Sequence, residues 1–195
     1  STPKPSSAAS DVYKRQAFIF MILIPTLLVL AGTFLDHVFG LTSFMAEQFA
    51  LRAAVSIILF AVGGSLAVLS NTYLIKRGKG YAWGDASPSA QTKVLVTTGP
   101  YKYTRNPMIL GYTMLLSSVG ILVGSLFAGV ITPLGLLVLI SAWIKIVEEP
   151  KLEARFGKAY IEYKRKIPFL IPRLQKKAVF RKNLRKNHSF RRSQV

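Results

Sequence analysis

Three charge-free stretches divide the chain. Ala17 to Leu35 lies between Lys14-Arg15 and Asp36, Ala53 to Ile75 lies between Arg52 and Lys76, and Asn106 to Ile144 carries no charge at all. A helix that crosses a bilayer needs about 20 apolar residues at about 1.5 Å each. The first two stretches therefore predict one span each. The third is roughly twice too long for a ~30 Å hydrocarbon core and must fold back, with Gly124, Ser125 and Gly129 supplying the break. The pattern predicts an all-α, polytopic membrane helical bundle. Its four transmembrane helices fall near 17–35, 52–75, 108–124 and 128–147, the last two forming a helical hairpin.

Beyond the last span the periodicity changes. Leu152, Phe156, Tyr160 and Tyr163 recur at helical spacing with Lys158, Glu162 and Lys166 elsewhere. This predicts a C-terminal amphipathic helix over 151–166, lying at the membrane surface together with the IPFLIP segment that follows. From Leu174 to Val195 there are eight Lys and Arg residues from Lys176 to Arg192 and no acidic one. That composition predicts a disordered tail drawn to anionic lipid headgroups. Ser1–Gln16 is polar and changes abruptly to AFIFMILIP. It reads as a non-native or disordered leader and is set aside from the fold. The domain organisation is therefore a leader over 1–16, a membrane domain over 17–173 and a basic tail over 174–195. A secretory signal peptide is the other reading of the first stretch, but AGTFLDHVFG makes a poor cleavage site.

Charge sets the orientation. Asp36 to Leu51 contains no Lys or Arg, whereas 76–105 contains Lys76, Arg77, Lys79, Lys93, Lys102 and Arg105, and everything after Lys145 is basic. Cytoplasmic loops collect Lys and Arg, so four spans place both termini and the 76–106 loop in the cytoplasm of a multi-pass membrane protein, in the plasma membrane if the source is bacterial. The net charge of +18 would suggest nucleic acid in a soluble domain. Here it is segregated from long apolar runs, the lipid bilayer is the expected partner, and no nucleic acid is expected. The absence of Cys, with His37 and His188 the only histidines, excludes disulfides and thiolate chemistry and argues against a metal centre or a Ser-His-Asp triad. Gly63, Gly64 and Ala67, and the Gly120/Gly124 pair, have the small-residue spacing that lets helix backbones approach in lipid. Pro25 and Pro133 are expected to kink their helices.

Two segments break local rules. In KVLVTTGPYKYTRNPMILG (93–111) a strand-like apolar run leads through Gly99-Pro100 to Arg105-Asn106-Pro107. Asn106 suits an N-cap and Pro107 the first helical turn, giving a helix N-terminus whose free N–H groups suit a carboxylate or phosphate. The plain alternative is an ordinary capped spanning helix. In KIVEEP, Glu148 and Glu149 stand where a spanning helix is expected to end. There they oppose the helix dipole and need compensation, either from a cationic ligand or from Lys145, Lys151 or Arg155. The hairpin returns both segments to one face. A zwitterion with a sugar and a cationic centre fits between them, and S-adenosylmethionine is such a molecule.

Gly99-Pro100-Tyr101, Arg105-Asn106-Pro107-Met108, Gly111, Glu148-Glu149, Phe156-Gly157, Tyr160, Tyr163 and Ile167-Pro168 together resemble the isoprenylcysteine carboxyl methyltransferase and phospholipid methyltransferase family over Leu95 to Arg173, with weaker agreement from Arg77 to Pro88. The resemblance implies a membrane methyltransferase that binds S-adenosylmethionine between the two segments and acts on a lipophilic substrate, either the carboxylate of a prenylated cysteine-like molecule or a lipid amine. Carried over residue by residue, it implies cofactor contacts at Lys93, Val94, Leu95, Val96, Tyr101, Asn106, Pro107, Met108, Ile109 and Glu148, with Arg105, Glu148 and Glu149 as catalytic candidates and no metal. Asn106 stands where the family has His, Ile109 where it has Tyr, and Lys145 is the cation nearest the position of a substrate-binding Arg. Two other readings remain: a sterol-reductase-type membrane enzyme using NADPH, which the Glu pair disfavours, and a non-catalytic membrane protein.

Overall fold

The computed structural model describes residues 18–41, 48–80 and 91–172, and within this range the chain is helical without strands. The leader, the basic tail and most of the 77–88 part of the resemblance lie outside the described residues. Helices occupy all four predicted stretches. α1 covers 19–38, built from a wide π-helical turn, Ile19–Leu23, followed by Ile24–Val38. α2 is Phe49–Gly78 and α4 is Phe127–Phe156, both long and apolar enough to cross a membrane. α3, Pro107–Leu122, is a shorter apolar helix, as is Ile24–Val38 within α1. α5 is Lys158–Lys166.

The apolar side chains point outward. Phe34, Ile57, Ile58, Phe60, Val138, Leu139 and Ile146 are all exposed. Only 17% of the most apolar window of α2 and 11% of that of α4 are buried. The core helix of a soluble protein would be mostly buried, so these surfaces suit lipid rather than water.

The helices are held together by backbone approach. A Cβ on Gly63 would stand 2.8 Å from the Gly111 carbonyl, and one on Gly111 would stand 2.7 Å from the Gly63 carbonyl and 2.8 Å from the Ala67 amide. The α2–α3 crossing therefore rests on glycine. Gly32 of α1 meets Ala128 of α4 in the same way, at 2.6 Å. Between α3 and α4 the chain turns at 123–126, with Gly124 at φ +79°, a conformation that glycine adopts without a Cβ penalty. Ser125 Oγ accepts from the Ala128 amide at 2.9 Å and Asp36 Oδ1 from the Phe127 amide at 3.1 Å. The buried carboxylate at the end of α1 thus satisfies one orphan amide at the start of α4, and Ser125 a second.

Prolines are absorbed rather than allowed to break the helices. Pro25, Pro133 and Pro150 each follow a π-helical turn, at Ile19–Leu23, Phe127–Ile131 and Ile144–Glu148. In each case the residue before the proline donates five residues back: Ile24 to Ile19, Thr132 to Phe127, Glu149 to Ile144. Proline has no N–H and its ring presses on the carbonyl four residues earlier. A widened turn makes that room.

Three expectations change as a result. α4 does not end near 147 but runs through Pro150 to Phe156, so Glu148 and Glu149 lie inside a helix rather than against its C-terminal dipole. The amphipathic helix expected over 151–166 is divided at Gly157, φ +55°, so Leu152 and Phe156 end one helix while Tyr160 and Tyr163 lie on the next. Their apolar stripe folds on itself: Tyr160, Tyr163 and Ile167 form a buried cluster with Leu95, Leu152 and Phe156 packed against it. Finally, the strand-like run at 93–96 forms no strand. The Lys93 and Val94 amides both donate to the Gly78 carbonyl, at 2.8 and 3.2 Å, which binds this segment to the end of α2.

Candidate functional site

Ahead of α3 the chain makes a tight corner. Gly99, at φ +64°, lies against the ring of Tyr73 and opens a short 3₁₀ turn, Gly99–Lys102. The buried Tyr101 carbonyl accepts from the Tyr163 hydroxyl at 2.7 Å. Burial, then the neighbouring Tyr163, pushes the Tyr101 phenol well above its ordinary value. Burial, then Tyr160, does the same for Tyr163. Both stay neutral, and Tyr163 acts as a donor.

The corner is fastened to the segment after α5. The Arg105 amide donates to the Pro168 carbonyl at 3.0 Å, and the Thr104 hydroxyl and Asn106 Nδ2 donate to the Phe169 carbonyl at 3.2 and 3.0 Å. Asn106 occupies the expected N-cap position, but its side chain is turned to Phe169 and does not cap α3. Pro107 has no N–H, and Leu110 donates to the Asn106 carbonyl. The Asn106 side chain thus leaves the Met108 and Ile109 amides at the positive end of α3 uncapped.

The Arg105 guanidinium forms an ion pair with the Glu149 carboxylate. Its side chain is 10% exposed and that of Glu149 4%. Lys164 reaches the other Glu149 oxygen at 2.7 Å and Glu153 at 2.9 Å. The hydrogen bonds that Lys164 donates to Glu149 and then to Glu153 raise its pKa. For Tyr160, burial raises the pKa most and Glu149 adds to it, while Arg105 opposes them. The pair joins the turn before α3 to the last third of α4, 44 residues apart. The Arg105 ring of contacts also includes the Phe169 face, 5.4 Å away, and one nitrogen, Nε, is buried without a partner among the described residues.

The sequence-predicted residues divide accordingly. Arg105 and Glu149 meet directly. Tyr101, Val96 and Pro107 are buried, and Leu95 packs on the Tyr160–Tyr163–Ile167 cluster. Asn106, Met108, Ile109 and Glu148 are half-buried, whereas the Lys93 and Val94 side chains are exposed. Three participants were not anticipated, Thr104, Lys164 and Phe169, and none of them carried a local signal.

Between the α3 N-terminus and the Glu148-Glu149 turn, the donor set is suited to a zwitterion. Uncapped amides favour a carboxylate, and Glu148 favours an ammonium group or hydroxyls. Glu149 is already neutralised by two cations. Residues 51–159 match the family model for phospholipid methyltransferase. No curated protein and no solved structure matches the chain significantly.

Proposed function

From the membership of this chain in the phospholipid methyltransferase family, a family of membrane methyltransferases, we propose that it uses S-adenosylmethionine to methylate a lipophilic acceptor. The observation that carries the cofactor reading is the uncapped start of α3 beside a buried Arg105–Glu149 pair. That pair fastens the segment bearing the free amides to the turn bearing Glu148. The Met108 and Ile109 amides hold the cofactor carboxylate, with the helix dipole favouring the charge. Glu148 takes the ammonium group or the ribose hydroxyls. Arg105 and Glu149 neutralise one another and fix the spacing between those two groups. They are positioning residues.

When bound, S-adenosylmethionine supplies a methyl carbon on a sulfonium, which the acceptor's lone pair takes while the carbon–sulfur electron pair returns to sulfur. The chain's part is orientation and exclusion of water. With an amine acceptor one proton must leave, and Glu148 receives it. The four helices each cross the bilayer, with both termini and the 76–106 loop on the cytoplasmic side. The site then lies at headgroup depth, and the basic tail rests on anionic lipid.

Isothermal titration of the purified chain in detergent tests the cofactor. S-adenosylmethionine should bind and NADPH should not. Glu148→Ala should weaken binding by about 1.5–3 kcal/mol, the scale of a charged hydrogen bond. Normal affinity in a folded Glu148→Ala protein would move the site elsewhere, and NADPH binding would favour a reductase.

A further inference from the structure

The end of the bundle opposite the candidate site holds polar side chains that the methyltransferase reading does not use. Asp36 lies in the last turn of Ile24–Val38, Arg52 stands in the first turn of α2, and Ser56 follows one turn later on the same helix face. Asp36 and Arg52 both meet the chain between α3 and α4. Asp36 Oδ1 accepts from the Phe127 amide at 3.1 Å, and a Cβ on Gly124 would overlap the Arg52 guanidinium. Asp36 is 2% exposed and Ser56 4%. Among the described residues Asp36 Oδ2, Arg52 Nε and Ser56 Oγ are buried without a hydrogen-bond partner. No carboxylate among them pairs with Arg52, whose guanidinium lies over the Phe49 ring at 5.9 Å.

These groups lie within the apolar belt. Val38 and Phe39 beyond Asp36, and Phe49 and Leu51 before Arg52, are all exposed, so the surface suited to lipid continues past both charges. Ionisable side chains at such depth face the bundle interior and need a partner there. An orphan polar atom has no bulk solvent to turn to and costs several kcal/mol or is satisfied inside the protein. The three atoms make different demands: the carboxylate oxygen accepts, the guanidinium Nε–H donates, and the hydroxyl does both. A cation suits Asp36 and is repelled by Arg52, and an anion meets the reverse. The group that serves all three is small, neutral, and both donor and acceptor.

We propose that Asp36, Arg52 and Ser56 build an internal water site, where resident water donates to Asp36 Oδ2, accepts from Arg52 Nε–H and is bonded by the Ser56 hydroxyl. Buried water typically makes about three such bonds to groups otherwise unsatisfied. The water links the end of α1 to the start of α2 beside the turn at 123–126, and it keeps the Asp36 carboxylate satisfied while its other oxygen caps α4. The site is independent of the methyltransferase reading and stands or falls without it.

The test uses the full chain in phosphatidylcholine nanodiscs, labelled with ¹⁵N at arginine, and follows magnetisation transfer from water to the Arg52 side chain. The Arg52 signal is the one lost in Arg52→Lys. In the parent chain, Arg52 Nε–H should show a cross-peak to water that exchanges slowly with bulk. Asp36→Asn and Ser56→Ala, each of which alters one partner, should weaken that cross-peak or speed the exchange. Gly135→Ala, with open space around it, should leave it unchanged. A folded parent with no water contact at Arg52 Nε would overturn the proposal. So would an Nε–H signal that moves on Asp36→Asn without any water cross-peak, the sign of a direct Asp36–Arg52 pair. A cross-peak that disappears on adding inorganic phosphate or calcium would also overturn it, since an ion would then be the preferred occupant.

Discussion

The Arg105–Glu149 pair makes an asymmetric prediction. Glu149 is 4% exposed and faces two cations, Arg105 and the 40%-exposed Lys164. Arg105 is 10% exposed, and its Nε is already without a partner among the described residues. Removing the carboxylate leaves a buried guanidinium facing a second positive charge. Breaking a buried pair in this way costs about 3–5 kcal/mol, so Glu149→Ala should destabilise by that amount. Arg105→Ala leaves Glu149 with Lys164, whose ammonium is partly hydrated and can follow it, and about 2 kcal/mol is expected, mostly from the lost hydrogen bonds. Lys164→Ala removes a solvent-screened partner and should cost about 1 kcal/mol or less. The Arg105→Ala/Glu149→Ala double variant should be more stable than the sum of the single changes predicts, because neither charge is then left alone. Reversible unfolding in mixed micelles by denaturant, followed by near-ultraviolet circular dichroism, measures all four. If Glu149→Ala were as stable as the parent, or Lys164→Ala the costliest change, the pair would not be the strut described.

Three further outcomes follow from the same structure. Gly111→Leu must push against the Gly63 carbonyl and the Ala67 amide and should cost about 1–3 kcal/mol as overpacking, seen as a lower unfolding midpoint, whereas Gly135→Ala, with open space around it, should be neutral. Stability should fall as pH rises above about 10: the ordinary values are 10.0 for Tyr101, Tyr160 and Tyr163 and 10.5 for Lys164, all four are raised in the folded chain, and the unfolded state then sheds protons that the folded state retains. A thermal midpoint unchanged on moving well into the alkaline range would contradict this. Because the chain has no cysteine, single cysteines at His37 and Lys102 report topology cleanly, and an impermeant thiol reagent should label them from opposite sides of oriented vesicles.

What could be read in the sequence was what depends on local composition. The charge-free stretches located every long helix, and Gly124 located the turn between α3 and α4, because apolar length and a glycine break act within a few residues. Contacts between distant segments were harder. Glu149 was expected to be satisfied by a ligand or by Lys145, Lys151 or Arg155, all close in sequence. Its partners are Arg105 and Lys164, because Pro150 is accommodated by a π-helical turn instead of ending the helix, and Gly157 then turns α5 back beside it. Asp36 gave no sign of its partner, since a cap donated from 91 residues away has no local signature. Asn106 had the right identity for a cap and the wrong neighbour, Phe169, which competes for its side chain.

The most direct test is transfer of labelled methyl from S-adenosylmethionine by the purified chain into a matched acceptor series differing only in tail length, presented in mixed micelles. Each methylene adds about 0.8 kcal/mol to partitioning, so label recovered in the lipid phase should rise steeply with tail length and depend on Glu148. No transfer to any acceptor by a folded chain would contradict the account, and equal transfer to the water-soluble headgroup analogues would contradict entry of the acceptor from the membrane.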